Sequence, residues 1–477
     1  MDGLKNPGIS SRAANWTLAA LFAMNLLNYV DRFILAAVIG PVQESLHLED
    51  NKAAAGFLST IFFVSYAIFS PLVGILGDRM SRKYLLAIGI GIWSLATFGS
   101  GLVGSFGEMV AARSILGIGE AAYATLAPTL IADLFPRQRR NRALAIFYVA
   151  IPIGAALGYV LGGWIYAHHE QLRILPLLEK GLSDLTGRHF VEGRGWRLAF
   201  FLVGLPGLVV AFLALLLPEP KRGAKEEVDE ADLARMHTPP LSWTTYSTLL
   251  RNRSYVYNTL AMAMFTFALG GLQFWTPDYL STPGEDGQVI TLENANLGLG
   301  TAVILSGLIG TPLGSWLADR LALRYKGAYF WLSGLAMLAS VPFILIALVS
   351  ARHGGPPWLI FGCIGLGLTL SFLNYGPSNA IIINVTVPNI RAAAFAVNIF
   401  LIHFLGDIPS PFAMGKVADL TRNWGIVGDM KASLFWGLAI TIPAMALSGL
   451  FFCLGGPHLE ADQETVIKEL KAPEKKS

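Results

Sequence analysis

Long apolar runs are the feature that most constrains what this chain can fold into. A helix needs about 20 mostly apolar residues to cross a bilayer, and the 477-residue sequence offers twelve such stretches. Only 14% of residues are charged, against roughly 25% in soluble domains. We therefore predict an all-α membrane protein with twelve transmembrane helices. The predicted spans are 16–40, 54–77, 84–104, 108–133, 143–167, 197–217, 255–280, 294–318, 328–350, 357–384, 392–417 and 433–455.

An internal duplication divides these spans into two sets of six. The segment that runs from Pro71 to Arg79 is repeated from Pro312 to Arg320, with Pro, Leu, Leu, Asp and Arg in the same register. Repeated halves in a membrane protein are typical of transporters, whose substrate site lies where the repeats meet. The predicted domains are an N-terminal six-helix half (1–217), a cytoplasmic linker (218–254), a C-terminal six-helix half (255–455) and a cytoplasmic tail (456–477).

Lysine and arginine cluster in alternate loops, which predicts the orientation of the chain. The clusters follow spans 2, 4, 6 and 8, and the positive-inside rule places such loops in the cytoplasm. Both termini are then cytoplasmic, and the chain is a multi-pass protein of the plasma membrane. The clustered residues include Arg79, Arg82, Lys83, Arg137, Arg139, Arg140, Arg142, Lys221, Arg222, Arg320, Arg324 and Lys326.

Several function classes find no support in the sequence. The formal net charge of +3 is too small to indicate nucleic acid as a partner. No phosphate-binding loop or metal-ligand motif is present, and no nucleophile–base pair indicates an enzyme. We therefore expect no cofactor, no metal and no catalytic residues. A channel is disfavoured because the charged loops described below suggest a gate that closes alternately.

Four charged residues interrupt the apolar spans. Asp31 and Arg32 lie in span 1, and Arg113 and Glu120 lie in span 4, two helical turns apart and so on one face. Each costs about 3 kcal/mol inside a bilayer, which makes such residues functional candidates. Only the two acids can lose a proton in practice, so we predict proton coupling in a substrate cavity. The alternative is a static neutral cluster that only holds helix 1 against helix 4.

Two motifs and a glycine-rich span stand out in the first half of the chain. The first motif lies between spans 2 and 3, the second lies on span 4 and after it, and the glycines lie in span 5. The residues concerned are Gly74, Asp78, Arg79, Arg82 and Lys83; then Arg113, Gly117, Gly119, Pro128, Asp133 and Arg142; then Gly154, Gly158, Gly162 and Gly163. These segments resemble those of the major facilitator superfamily, and the likeness covers nearly the whole chain because the second half repeats weaker forms.

A narrower resemblance is to the spinster family. It rests on Asn28-Tyr29-Val30-Asp31-Arg32 and on Gly119-Glu120-Ala121-Ala122-Tyr123. The resemblance implies a carrier of sphingosine-1-phosphate or lysophospholipids. The short termini are unlike the long tails of animal members and indicate a bacterial member, whose plasma membrane is the inner membrane.

The superfamily resemblance also implies a cytoplasmic gate. Asp78 is expected to face the start of helix 11 near Arg391, and Arg79 is expected to pair with Asp133. The alternative is that the basic residues only set topology. The predicted gate residues are Gly74, Asp78, Arg79, Arg82, Lys83, Asp133 and Arg142, with Asp319, Arg320 and Arg391 from the second half.

Further polar residues are candidates for the cavity wall, with helix–helix hydrogen bonding as the alternative. His403 and Asp407 are one turn apart, so they form either a second proton site or a structural pair. The candidates are Tyr29, Gln273, Asn374, Tyr375, Asn379, His403 and Asp407.

These features together predict a proton-linked secondary transporter that works by alternating access. The predicted cargo is an amphiphilic lysolipid or a sphingosine-1-phosphate-like lipid. The alternatives are a carrier of a small organic anion, such as a sugar acid or phosphate ester, and a drug/proton antiporter. One chain holds both halves, so we expect a functional monomer whose partners are the substrate, protons and the lipid bilayer.

Overall fold

The computed structural model describes residues 9–172, 194–220, 249–284, 289–387 and 390–471. Every regular element among these residues is a helix, and twelve helices are long and apolar enough to cross a membrane. The predicted fold class is thereby confirmed. The first six are α1 (Ser11–Ala37), α2 (Lys52–Arg79), α3 (Arg82–Ser100), α4 (Phe106–Leu134), α5 (Arg137–His168) and α6 (Arg194–Ala214).

The last six spans include three that are interrupted. They are α7 (Arg253–Ser281), α8 (Leu292–Ala322), α9 (Ala328–Arg352), α10 (Pro357–Phe372 and Tyr375–Asn384), α11 (Arg391–Ile402 and Ser410–Asn423, with a π-helical segment His403–Asp407 between them) and α12 (Met430–Ala439 and Thr441–Gly455). Two shorter helices, Ile39–Ser45 and Leu459–Lys471, follow α1 and α12.

The chain separates into two compact units. The first takes in Met1–Glu227 with Thr291–Gly300, and the second takes in Val228–Ile290 with Thr301–Ser477. Most of the predicted linker 218–254 lies outside the described residues.

Polar side chains start many of the helices. An N-cap oxygen accepts a hydrogen bond from a backbone N–H of the first turn, which would otherwise have no acceptor. These bonds fix where the spans begin. The capping residues are Ser10, Asn51, Ser105, Asn252 and Asp429.

Glycines of α5 let α1 approach closely in the first unit. A Cβ atom at Gly154 would lie 2.6 Å from the Leu26 carbonyl oxygen, and one at Gly158 would lie 2.9 Å from that of Val30. Small residues allow such backbone contact between membrane helices. This packing fixes the part of α1 that carries the charged pair Asp31–Arg32.

The predicted span 357–384 is confirmed as one candidate membrane span, and within it the helix α10 is broken at Leu373–Asn374. Pro377 has no N–H to donate to the Leu373 carbonyl, four residues earlier. Gly314 of α8 packs against that carbonyl, and a Cβ atom there would lie 2.1 Å from the oxygen. The break therefore has a sequence cause in Pro377 and a packing partner within the second unit.

The predicted tail begins as a helix that packs on the second unit. Leu459 is buried, and the Asp462 carboxylate accepts a hydrogen bond from the backbone N–H of Ser254 at 2.8 Å. Lys326 pairs with Glu460 at 2.5 Å. This part of the tail thus contributes to the second unit instead of lying free in solvent.

Candidate functional site

The four charged residues predicted inside spans 1 and 4 lie together in the first unit. Asp31, Arg113 and Glu120 are 1%, 2% and 0% exposed, and the Arg32 side chain is 16% exposed. Adjacent residues on a helix point about 100° apart. Arg32 therefore reaches Glu120 while Asp31 lies on another side of α1.

Arg32 and Glu120 form the contact ion pair of this cluster. The Arg32 Nη2 and Nε atoms donate to Glu120 Oε2 at 2.6 and 3.2 Å. Both bonds converge on one carboxylate oxygen, and the other, Oε1, is buried with no hydrogen-bond partner. The carboxylate is therefore half satisfied, which leaves an oxygen that can accept a proton or a donor.

Aromatic rings surround the Arg32 guanidinium. Its central carbon lies 4.9 Å from the Tyr29 ring centre and 5.0 Å from that of Phe62. The rings of Phe63 and Tyr66 lie at 5.7 and 5.6 Å. Cation–π attraction of this kind contributes about 2 kcal/mol when desolvated. The rings offer an apolar wall around a fixed positive charge.

Arg113 and Asp31 share the cluster but form no contact pair. The Arg113 guanidinium lies 5.1 Å from the Phe62 ring centre, and its Nε has no hydrogen-bond partner. Asp31 is near enough to Arg113 and Glu120 to feel both charges, yet its buried Oδ1 also has no partner. Two acids and two bases thus lie in one place with a single direct contact among them.

The predicted pairing of Arg79 with Asp133 is wrong. Arg79 is exposed, and Arg82 Nη1 takes the Asp133 carboxylate at 2.5 Å. Arg82 is the first residue of α3 and is almost fully buried, whereas Arg79 ends α2. The turn between the two helices therefore directs Arg82, and not Arg79, toward α4.

Glu219 completes this second network and was missed from the sequence. It accepts hydrogen bonds from Arg82 Nε at 2.9 Å, the Lys83 backbone N–H at 3.0 Å and the Ser81 hydroxyl at 2.8 Å. Burial raises the pKa of Glu219, but these hydrogen bonds outweigh it and lower the pKa below its usual value. The carboxylate also lies at the positive N-terminal end of α3. The sequence signal that could have identified Glu219 is its position between Pro218 and Pro220, directly after span 6.

We expect Arg82→Ala to lower the free energy of unfolding by about 3 kcal/mol, because it strands two carboxylates. The matched control Arg79→Ala should change it by less than about 0.5 kcal/mol, since Arg79 is exposed. Glu219 has a lowered folded pKa. The stabilisation that Glu219 contributes is complete above its unfolded-state pKa of about 4.3, and it is lost as pH falls through its folded-state pKa.

Thermal melting of the purified protein in detergent, followed from pH 7 downward, measures both effects. Wild type should lose stability at the acidic end more steeply than Arg82→Ala. Equal melting points for Arg79→Ala and Arg82→Ala would contradict the assignment.

The remaining predicted gate residues are divided between the two units. The Asp78 side chain lies outside the described part of the chain, and Arg142 is exposed. A Cβ atom at Gly74 would meet Thr125 at an ordinary 3.7 Å. In the second unit, Asp319 accepts from the Tyr329 hydroxyl at 3.0 Å, Arg320 lies 4.7 Å from the Trp316 ring centre, and Arg391 donates to the Ile383 carbonyl at 3.1 Å.

The predicted wall residues of the second unit lie mainly around the break in α10. Asn374 is buried and donates to the Ser371 carbonyl at 2.6 Å. The Tyr375 ring packs 5.4 Å from the rings of Phe265 and Phe372. Gln273 is half-buried and Asn379 is exposed.

His403 and Asp407 do pair within α11, with the ring Nδ1 2.5 Å from the carboxylate Oδ2. The two residues bound the π-helical segment. Such single-turn π-bulges often occur at functional sites.

Residues 21–411 match the family profile described as Major Facilitator Superfamily. "Protein spinster homolog 1" of Homo sapiens is 33% identical, with 97% of this chain and 84% of the relative covered. "Sphingosine-1-phosphate transporter SPNS2" of Mus musculus is 32% identical, with 91% and 76% covered.

Solved structures give the same fold. A crystal structure of a bacterial homolog to the human lysosomal transporter Spinster, inward-facing and unoccupied, aligns with a TM-score of 0.78 at 21% identity. It covers 97% of this chain and 100% of that one. A D-xylose-proton symporter aligns with a TM-score of 0.69 at 16% identity, covering 94% and 99%.

Proposed function

Because the chain belongs to the spinster family of the major facilitator superfamily, we propose that it is a proton-linked secondary transporter of an amphiphilic lysolipid. The chain is a transporter-family member and a multi-pass membrane protein. The proposal concerns its cargo, its coupling ion and its mechanism. A sphingosine-1-phosphate-like molecule, with one chain and an anionic head, is the cargo class we favour.

The buried Arg32–Glu120 pair is the observation that carries this proposal. A proton that binds Glu120 neutralises the carboxylate and weakens its hold on Arg32. The guanidinium fork then has donors for a phosphate or similar anionic head. Proton binding and headgroup binding thus act on the same contact, which links them energetically.

The surroundings of Arg32 support an amphiphile over a fully polar solute. Tyr29, Phe62, Phe63 and Tyr66 stand beside the charge, so an anionic head would bind next to apolar surface. The mouse relative is named as a transporter of sphingosine-1-phosphate, a molecule that likewise has a phosphate on a single long chain.

Alternating access is the mechanism we propose, with Asp31 and Glu120 as the carboxyl groups that load and release the proton. Arg113 supplies a permanent positive charge that keeps two adjacent acids tolerable in one buried site. The Arg82–Asp133–Glu219 network is proposed to hold the cytoplasmic ends of α3, α4 and α6 in register while the site loads. We also propose that both termini lie in the cytoplasm, that the chain lies in the plasma membrane, which in a bacterium is the inner membrane, and that a single chain is the working unit.

Ligand-induced thermal stabilisation tests the cargo. A ligand that binds only the folded state stabilises it by about 2.7 kcal/mol at one hundred times its Kd. The panel is sphingosine-1-phosphate, lysophospholipids, uncharged single-chain detergents of matched length, glycerol phosphate and hexuronates. We expect a dose-dependent rise in melting temperature with the anionic lysolipids alone.

Two arginines within the membrane spans supply the matched variants for this test. Arg32→Gln should abolish the lysolipid response, because its guanidinium is the proposed donor to the headgroup. Arg197→Gln should keep it, because Arg197 instead donates to the Gly101 and Val103 carbonyls at 2.9 and 2.6 Å, after α3. Stabilisation only by glycerol phosphate or hexuronates would contradict the lipid assignment and favour a carrier of small organic anions.

A further inference from the structure

Two hydroxyl groups on α3 do not make the hydrogen bond that is usual for their position. Serine and threonine inside a helix commonly donate to the carbonyl four residues earlier, as Ser100 does to Ala96 at 2.8 Å. Ser94 and Thr97 are fully buried, yet their hydroxyls have no hydrogen-bond partner. Their polar atoms are therefore available to something other than their own helix.

Trp93, on the same helix, also has a buried polar atom without a hydrogen-bond partner. It is fully buried, and its indole N–H has no acceptor. A buried tryptophan N–H usually finds one. Trp275 donates to the Pro411 carbonyl and Trp196 to the Ser45 hydroxyl, each at 2.9 Å. An unsatisfied buried donor is unfavourable, so we expect the Trp93 N–H to have an acceptor.

Asp31 of α1 faces this group. Its carboxylate is near the side chains of Thr97 and Trp93, but Oδ1 closes no direct hydrogen bond with either. Gly207 of α6 borders the same place, and a Cβ atom there would lie 2.0 Å from Ser94 Oγ and 3.7 Å from Trp93 Nε1. Helices α1 and α3 thus bring unpartnered polar atoms together, and Gly207 of α6 borders them.

We propose that Asp31, Trp93 and Thr97 bind a buried water molecule. A water accepts from the Trp93 N–H, donates to Asp31 Oδ1 and exchanges a hydrogen bond with the Thr97 hydroxyl, which gives it the two to four partners that buried waters have. A metal cation fits less well, because the indole N–H points into the site and the Arg113 guanidinium is near Asp31. Neither group can coordinate a cation.

The water gives Asp31 a proton partner beside the α3 side chains Trp93 and Thr97. A hydronium ion formed at this water passes its proton to the ionised Asp31, which leaves neutral water and a carboxylic acid. The facing ionisable groups are Glu120 and Arg113, both on α4. Trp93 and Thr97 are then positioning residues, and this role rests on the proposed function.

Hydroxyl-radical footprinting of the full-length wild-type protein by synchrotron X-rays tests the water directly. Radicals generated from a bound water oxidise the side chain that holds it, even where bulk solvent has no access. We expect Trp93 to be oxidised several-fold faster than Trp196 and Trp275. These two are equally buried tryptophans whose N–H groups are satisfied by protein. Equal rates for all three would overturn the proposal.

Two variants on α3 sharpen the test. Thr97→Val removes the hydroxyl with little change in shape, and it should slow Trp93 oxidation to the rate of Trp275. Ser100→Ala should leave it unchanged, since Ser100 bonds to its own helix. Melting temperatures of the wild type in sodium chloride and in choline chloride test for a bound cation instead of water. We expect equal values, and a sodium-specific rise would overturn the water assignment.

The proposed function can fail without affecting this result. Labelling of Trp93 needs no substrate, whereas the thermal panel does. If Trp93 is labelled and the pH profile of transport shifts in Thr97→Val but not in Ser100→Ala, the water serves the proton site. An unshifted profile in Thr97→Val would overturn the positioning role.

Discussion

Replacing Glu120 with Gln is expected to lower the free energy of unfolding by about 3–5 kcal/mol, the cost of leaving a buried charge without its partner. Arg32 loses both of its hydrogen bonds to the carboxylate. Arginine does not release its proton in a protein, so the variant retains a buried cation. The measurement is the midpoint of thermal unfolding in a fixed detergent.

The reciprocal variant should cost less. Arg32→Gln leaves Glu120, and a carboxyl group can bind a proton and become neutral. The double variant Arg32→Gln/Glu120→Gln should be more stable than the sum of the single effects, by the coupling energy of the pair. Equal losses in the two single variants, with simple additivity in the double, would show that the pair does not act as a buried ion pair.

Asp31→Asn is expected to remove the dependence of transport on a pH gradient while leaving exchange intact. Asparagine has nearly the shape of aspartate but binds no proton. Counterflow, in which labelled substrate exchanges across a proteoliposome membrane at equal pH, requires no net proton movement and should persist. Accumulation driven by a pH difference should fall to the level of protein-free vesicles.

The matched control for this experiment is Asn25→Asp in the same helix. Asn25 is buried, and it donates to the Phe147 carbonyl at 3.0 Å, away from the charged cluster. It should keep pH-driven accumulation if it folds. Undiminished accumulation in Asp31→Asn would exclude Asp31 as the coupling group and leave Glu120 alone in that role.

The length of the apolar runs made most of the fold predictable. Twelve apolar runs of sufficient length give twelve helices, because in lipid each backbone N–H and C=O needs a partner within the helix. The break in α10 was harder to predict. Pro377 alone allows either a kink or a break, and the close contact between Gly314 and the Leu373 carbonyl exists only once the helices have packed.

The candidate site was predictable by residue type but less so by partner. Helical spacing put Arg113 and Glu120 on one face, and the cost of charge in lipid singled them out. Neither argument reveals which arginine Glu120 binds, because the choice depends on the rotation of α1 against α4. The pairing of Asp133 with Arg82 instead of Arg79 was hard to predict for a similar reason. The two-residue turn between α2 and α3 sets the direction of the helix that Arg82 begins.

The aromatic side chains around Arg32 are a feature that the local sequence does not predict. Phe62, Phe63 and Tyr66 lie within little more than one turn of α2, which any apolar span rich in phenylalanine will contain. Their role becomes visible only when a guanidinium from α1 lies 5.0–5.7 Å from their centres.

Proton movement coupled to lysolipid movement is the central claim, and a pH-sensitive dye trapped inside proteoliposomes tests it most directly. Sphingosine-1-phosphate or a lysophospholipid is added outside wild-type vesicles, Glu120→Gln vesicles and protein-free vesicles. We expect a change of internal pH that is saturable in wild-type vesicles and absent from Glu120→Gln vesicles and from protein-free vesicles. The same pH change in Glu120→Gln vesicles, or saturable lipid movement in wild type without any pH change, would contradict the central claim.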